Sequence, residues 1–160
     1  MSLLAQIPLV TRRVIDDAAT VGVELSRTYT ASARELWEAI TDPHRLEHWF
    51  EPVDPADIEI LTCRAEERLE IRWESGTLGV TIDDNTLTLT YSTERNELWE
   101  TYGPAIHGIG WDAALAALAL HLAMDAENDE GEDEEFLRRV VAEWSVDKHQ
   151  AQRTTALILE

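Results

Sequence analysis

Apolar and polar positions follow one another along this chain in patterns that assign most of its elements. The densest apolar run is Gly108–Met124, GIGWDAALAALALHLAM, dominated by Ala and Leu, the strongest helix formers. It shows almost no polar face, which predicts a long helix covered on most sides. It is too short for a comfortable membrane span, which takes ~20 apolar residues. Asp112 is expected in its first turn, at the positive end of the helix dipole, with Gly108 and Gly110 giving a tight entry.

Upstream, Val21–Tyr29 alternates, with Val23, Leu25, Arg27 and Tyr29 on one face, and predicts a half-buried strand. TASARELWEAI then reads as a helix. Thr30 or Ser32 can cap it, Glu35 completes a capping box with Ser32, and Leu36, Trp37 and Ile40 form the apolar side. Asp42-Pro43 opens a second, short helix that buries Leu46, Trp49 and Phe50. Four strands follow. They are Ile58–Arg64, Glu67–Glu74 with Leu69, Ile71 and Trp73 inward, a strand with Leu78, Val80 and Ile82 inward, and one with Leu87, Leu89 and Tyr91 inward. Polar turns at Ser75-Gly76 and Asp83-Asp84-Asn85 join them as antiparallel hairpins. Trp99, Tyr102 and Pro104 lead into the long helix, while Met1–Ala19 has no period and reads as a loose lead-in. Phe136, Leu137, Val140, Val141 and Trp144 recur at helical spacing, and Ser145 is placed to cap a last helix reaching about Leu157. The expected fold is α+β: an antiparallel sheet wrapped around a long helix, with additional C-terminal helices. Residues 20–124 would form the main domain, with 125–160 packed on it.

Charge changes the picture more than composition does. At 44% hydrophobic and 28% charged the chain has an ordinary globular composition, but 32 acidic against 13 basic residues give a formal net charge of −19. Such a surface repels phosphate backbones, so nucleic acid and membrane are excluded as expected partners. Asp125–Glu135 carries eight acids in eleven positions and reads as a solvated loop or fraying helix end, too irregular for a calcium loop. Cys63 is the only cysteine, so neither an intramolecular disulfide nor a cysteine zinc site can form, in keeping with a reducing cytoplasm. Arg12 and Arg13 follow the apolar stretch Leu3–Val10 instead of preceding it, so no secretory leader is expected.

The sharpest chemical motif is His44-Arg45-Leu46-Glu47-His48, which fits the inverted zinc-protease pattern H-x-x-E-H. Its context fails: the helix is short, Trp49-Phe50 belongs to the core, and the sequence identifies no third ligand. No metal site and no cofactor are therefore expected. His107 and His121 sit beside apolar positions, where a hydrogen-bonded structural role outweighs acid–base work. Cys63 has only Arg64 beside it as an activator and reads as inert. No phosphate loop or nucleophile elbow occurs, and no residue is assigned as catalytic.

RTYTASARELWEAITDPHRLEHWF resembles the N-terminal signature of the SRPBCC superfamily, the START and Bet v 1-like helix-grip proteins. It is most similar to the branch named for the activator of heat-shock protein 90 ATPase. The residues that carry this are Arg27, Ala31, Leu36-Trp37, Thr41-Asp42-Pro43 and Trp49-Phe50; YGPAIHGIGWDAALAALALHLA resembles the Gly-Trp start of the long helix in bacterial members. One departure stands out. Only Glu51–Asp57 separates Trp49-Phe50 from Ile58, and no Gly-Gly hairpin occurs there. The sheet thus has room for one hairpin fewer, which implies a cavity either smaller or open on one side. The resemblance implies a binding protein that encloses a small apolar molecule between sheet and helix. Trp49, Trp73, Trp99, Trp111 and Tyr91 would line that site, and Arg27, Tyr102 and His107 would supply its polar groups. A cyclase- or hydrolase-like enzyme in the same cavity is the alternative. A chaperone-associated regulator, with a protein partner or a homodimer, is a third reading that rests on the family name.

Overall fold

Six strands form one antiparallel sheet in the order β1-β2-β6-β5-β4-β3, seen in a computed structural model that describes residues 2–122 and 130–159. The strands are β1 (Thr11–Asp16), β2 (Thr20–Thr28), β3 (Ile60–Arg64), β4 (Arg68–Trp73), β5 (Gly76–Asp83) and β6 (Thr86–Glu94). Alternation decides which face is covered. Val21, Val23 and Leu25 on β2, Leu78, Val80 and Ile82 on β5, and Leu87, Leu89 and Tyr91 on β6 are all buried. Cross-strand threonines, such as Thr28 with Thr86 at 2.9 Å, occupy the other face.

Two short helices connect β2 to β3: α1 (Ala33–Thr41) and α2 (Pro43–Trp49). The Ser32 hydroxyl accepts from the Glu35 amide at 3.1 Å, and the Asp42 carboxylate accepts from the His44 amide at 2.9 Å with Pro43 as the first helical residue. After β6 come α3 (Glu97–Tyr102) and the long helix α4 (Ala105–His121), then α5 (Asp133–Trp144) and α6 (Lys148–Leu159). The Tyr29 hydroxyl, wholly buried, donates to the Leu115 carbonyl of α4 at 2.9 Å and fastens the helix to the end of β2. Burial holds that phenol protonated.

The structure departs from the sequence reading in several places. The lead-in is ordered: Leu4–Leu9 is a 3-10 turn and β1 pairs with β2 along its length, making the sixth strand. Asp112 is not in the first turn of α4. It lies seven residues beyond Ala105, is 2% exposed, and accepts hydrogen bonds from Arg12 Nη2 at 2.6 Å and Trp144 Nε1 at 2.7 Å. Gly108 therefore serves no entry turn; a Cβ there would come within 2.4 Å of Trp144 Nε1. The turn into α4 is Gly103, at φ 77°, followed by Pro104. Trp99 and Tyr102 belong to a helix of their own, α3. The last helix is capped by Asp147, which accepts from the Gln150 amide at 2.8 Å, while the Ser145 hydroxyl donates back to the Val141 carbonyl. Leu46, Trp49 and Phe50 are only partly buried. Of the acidic stretch, residues 125–129 lie outside the described residues, as does the expected end of the long helix at Met124; Glu130–Glu132 is a 3-10 turn and Asp133 begins α5.

Candidate functional site: an apolar cavity beside the long helix

Leu46, Trp49 and Phe50 are incompletely buried because they face a cavity. It measures about 360 Å³ and lies between the inner face of β3–β6, helices α1 and α2, and α4. The sheet contributes Leu69, Ile71, Trp73, Leu78, Val80, Leu87 and Leu89; α4 contributes Trp111, Ala114, Leu115 and Leu118; Trp37, Ile40, Leu46, Trp49 and Phe50 come from α1, α2 and the residue that follows. The link to β3 closes the outer wall with Val53, Pro55 and Ile58, and its 3-10 turn Pro55–Asp57 is capped by Asp54. No strand forms between Trp49 and Ile60, so this wall is thin. Ile60, at 58% exposed, together with Pro55 and Cys63, marks the mouth.

The chemistry of the lining is nearly uniform. Apart from the indole N–H groups, Thr41 and Cys63 are its polar side chains, the Thr41 hydroxyl is spent on the Trp37 carbonyl at 2.6 Å, and among the described residues no carboxylate, guanidinium or imidazole reaches it. Aromatic rings gather at one end. Phe50 lies 5.6 Å from both Trp49 and Trp73 and stacks on Trp111 at 6.0 Å, while Trp73 meets Trp111 edge-on at 6.4 Å. The Trp49 indole N–H is satisfied by the Ala39 carbonyl at 2.9 Å, which leaves its ring to the cavity.

Of the eight residues expected to contact a ligand, Trp49, Trp73 and Trp111 are on the lining. The other five are not. Tyr91 packs on Trp111 at 5.8 Å but lies behind it, in a second stack with His107 at 5.2 Å, and Trp99 closes that stack at 6.2 Å from His107. Tyr102 belongs to the junction of α3 and α6, where its carbonyl accepts from the buried Thr154 hydroxyl at 2.7 Å. Arg27 points inward, as its strand parity requires, yet ends elsewhere in the core. It is 3% exposed, donates to Gln6 Oε1 at 3.0 Å and lies 5.1 Å from the Tyr29 ring. The buried carboxylate of Asp112 is taken by Arg12 instead. The lining residues missed by sequence reasoning are mainly Trp37, Phe50, Val53, Pro55, Ile58 and Cys63. The signal for Phe50 was its place beside Trp49; Cys63 shares strand parity with Leu61 and gave none.

Neither His107 nor His121 is on the lining, where it could act on a cavity occupant. His107 is half-buried, its Nε2 is enclosed without a hydrogen-bond partner, and burial pushes its pKa below the usual 6.5 against the opposing pull of Glu74. The His121 Nε2 accepts from Arg45 Nε at 3.1 Å, an arrangement that needs the neutral ring; burial first, then Arg45 and His48, lower its pKa. His44 and His48 are exposed on α2, and among the described residues no group of three His, Cys, Asp or Glu side chains is placed to hold a metal ion.

The chain matches no protein-family model and no curated protein. Its likeness is to solved structures. A conserved protein of unknown function, EF2215 from Enterococcus faecalis, is 16% identical over 88% of this chain and 93% of that one, with a TM-score of 0.66. CalU16 from Micromonospora echinospora is 20% identical, with a TM-score of 0.59 for its crystal structure over 84% of this chain and 92% of that one; its solution structure gives 0.56 over 94% and 93%. At such identities these likenesses show the fold alone: an antiparallel sheet with helices, compatible with the helix-grip arrangement.

Proposed function

We propose that this protein binds a small hydrophobic molecule between the sheet and α4, in the manner of the SRPBCC helix-grip proteins its N-terminal signature resembles. The observation that carries the reading is the cavity itself. Natural cores leave few voids larger than a water molecule, and ligand pockets begin near ~300 Å³. A space of about 360 Å³ walled almost entirely by apolar side chains is ligand-sized. Apolar wall facing water forgoes ~25 cal/mol per Å², which an apolar occupant recovers. Among the described residues the lining carries no acid–base pair and no activated nucleophile, and this supports binding over catalysis.

Nile red, an uncharged dye that brightens in apolar surroundings, tests the reading. Its fluorescence should rise saturably at one equivalent and quench emission from Trp49, Trp73 and Trp111. Val80→Trp fills the cavity from the sheet and Ala114→Leu from α4. Each should weaken binding by about tenfold or more, the cost of losing a well-filled apolar subsite. A non-saturable dye response, or one untouched by both substitutions in folded protein, would refute the proposal.

A further inference from the structure

The wall that closes the cavity also carries a run of acidic side chains. From Glu47 to Glu59 two sets of residues interleave: Trp49, Phe50, Val53, Pro55 and Ile58 line the cavity, while Glu47, Glu51, Asp54, Asp57 and Glu59, their neighbours along the chain, are exposed. Arginines on the neighbouring elements are largely committed. Arg45 holds His121 and Glu38, Arg72 holds Glu59 at 2.9 Å, and Arg68 holds Glu70 at 3.2 Å. Arg64, at the end of β3, makes no ion pair among the described residues and is one cation against the five acids of the link. Resting on the binding reading above, we infer that the cavity rejects anionic amphiphiles and takes apolar molecules with an uncharged or amine head.

Two positions are open to a carboxylate head. Inside, it would lose its water and meet no cation among the described lining residues; the Thr41 hydroxyl is already given to Trp37, which leaves only neutral indole N–H groups and the Cys63 thiol to offset the buried charge. At the mouth it would keep its water but face Glu51, Asp54 and Asp57, within a molecule of net charge −19. An alcohol incurs only the milder cost of a neutral polar group. An amine is drawn to the same acids.

Dodecanol, dodecylamine and dodecanoate share one chain and differ only in the head, so their displacement of Nile red isolates charge. At low ionic strength dodecanoate should compete at least about tenfold more weakly than dodecanol, with dodecylamine at least equal to the alcohol; salt should narrow the spread, since exposed charges are screened beyond about 8–10 Å at moderate ionic strength. Glu51→Lys with Asp57→Lys, two exposed side chains without ion pairs, should raise dodecanoate toward dodecanol and leave dodecanol unchanged. Amine binding that survives Val80→Trp is surface attraction and is subtracted. Dodecanoate competing as well as dodecanol overturns the inference while the binding reading stands. So does the absence of competition by all three probes against a saturating, Val80-sensitive dye. A dye that never saturates overturns the binding reading and the inference with it.

Discussion

Removing the Asp112 carboxylate should cost this protein a large part of its stability. The group is 2% exposed and takes three hydrogen bonds: from Arg12 Nη2 at 2.6 Å, Arg12 Nε at 3.1 Å and Trp144 Nε1 at 2.7 Å. The Arg12 side chain is itself only 9% exposed, and its remaining donors hold the Ile7 and Val10 carbonyls of the N-terminal turn. Asp112→Ala leaves a buried guanidinium without a counter-charge, which costs about 3–5 kcal/mol, and an orphaned indole N–H, worth about 1–3 kcal/mol when fully unpaired. The two losses share a site and do not add, so about 4 kcal/mol is the expected total, against ~5–15 kcal/mol for a whole domain. With a urea slope of about 2 kcal/mol per M, the unfolding midpoint should fall by about 2 M. Arg12→Met combined with Asp112→Leu removes both charges together and should recover much of the loss, because a buried pair stabilises little relative to apolar residues of similar size. The coupling should persist in high salt, unlike that of a surface pair. An Asp112→Ala midpoint equal to wild type, or single and double variants that simply add, would refute the account.

Two further outcomes follow from neighbouring contacts. Gly108→Ala gains about 1 kcal/mol of helix propensity but drives a methyl group to 2.4 Å from Trp144 Nε1, and overpacking costs about 1–3 kcal/mol; a lower melting temperature and an altered near-ultraviolet signal from Trp144 are expected, and a more stable variant would sink the contact. His107 has a folded-state pKa below its ordinary 6.5, so the unfolded chain takes up the proton first as pH falls. Wild-type stability relative to His107→Gln should therefore be constant above about pH 7, decline below about 6.5, and level off once the folded ring also protonates; a difference flat from pH 8 to 5 would contradict this.

Local patterns were legible in the sequence and distant pairings were not. The inward sets of β4, β5 and β6 follow from strict alternation, and the Ser32 and Asp42 caps from residue type and spacing. β1 escaped notice because TRRVID has no apolar face: its inward arginine is covered by a carboxylate 100 residues away, a pairing no local window contains. Asp112, read locally, suits a helix start; only the fold brings it to Arg12 and Trp144. The site divides in the same way. Trp49, Trp73 and Trp111 were reachable because parity and helix phase set their direction. Tyr91 has the correct parity, but parity gives a face and not a depth, and Trp111 stands between it and the cavity. Arg27 likewise points inward, and the ordered N-terminal turn then supplies Gln6 to receive it.

The nearly all-apolar character of α4 has its explanation in these two sides. Gly108 and Asp112, four residues apart, face α5, where the absent side chain of Gly108 admits the Trp144 ring and Asp112 accepts from its indole N–H. Trp111, Ala114, Leu115 and Leu118 form the other stripe and face the cavity. One stripe is pinned by buried hydrogen bonds at Asp112; the other reaches the sheet through Trp111 and borders the cavity through Ala114, Leu115 and Leu118. An amphipathic helix with a solvent face could not serve both sides, since each needs apolar surface. The short link from Glu51 to Glu59 completes the effect, because without a strand there nothing fills the space from outside. The buried hydrogen bonds of Asp112 hold α4 from the far side while its other stripe borders the cavity, an arrangement the proposed binding function requires.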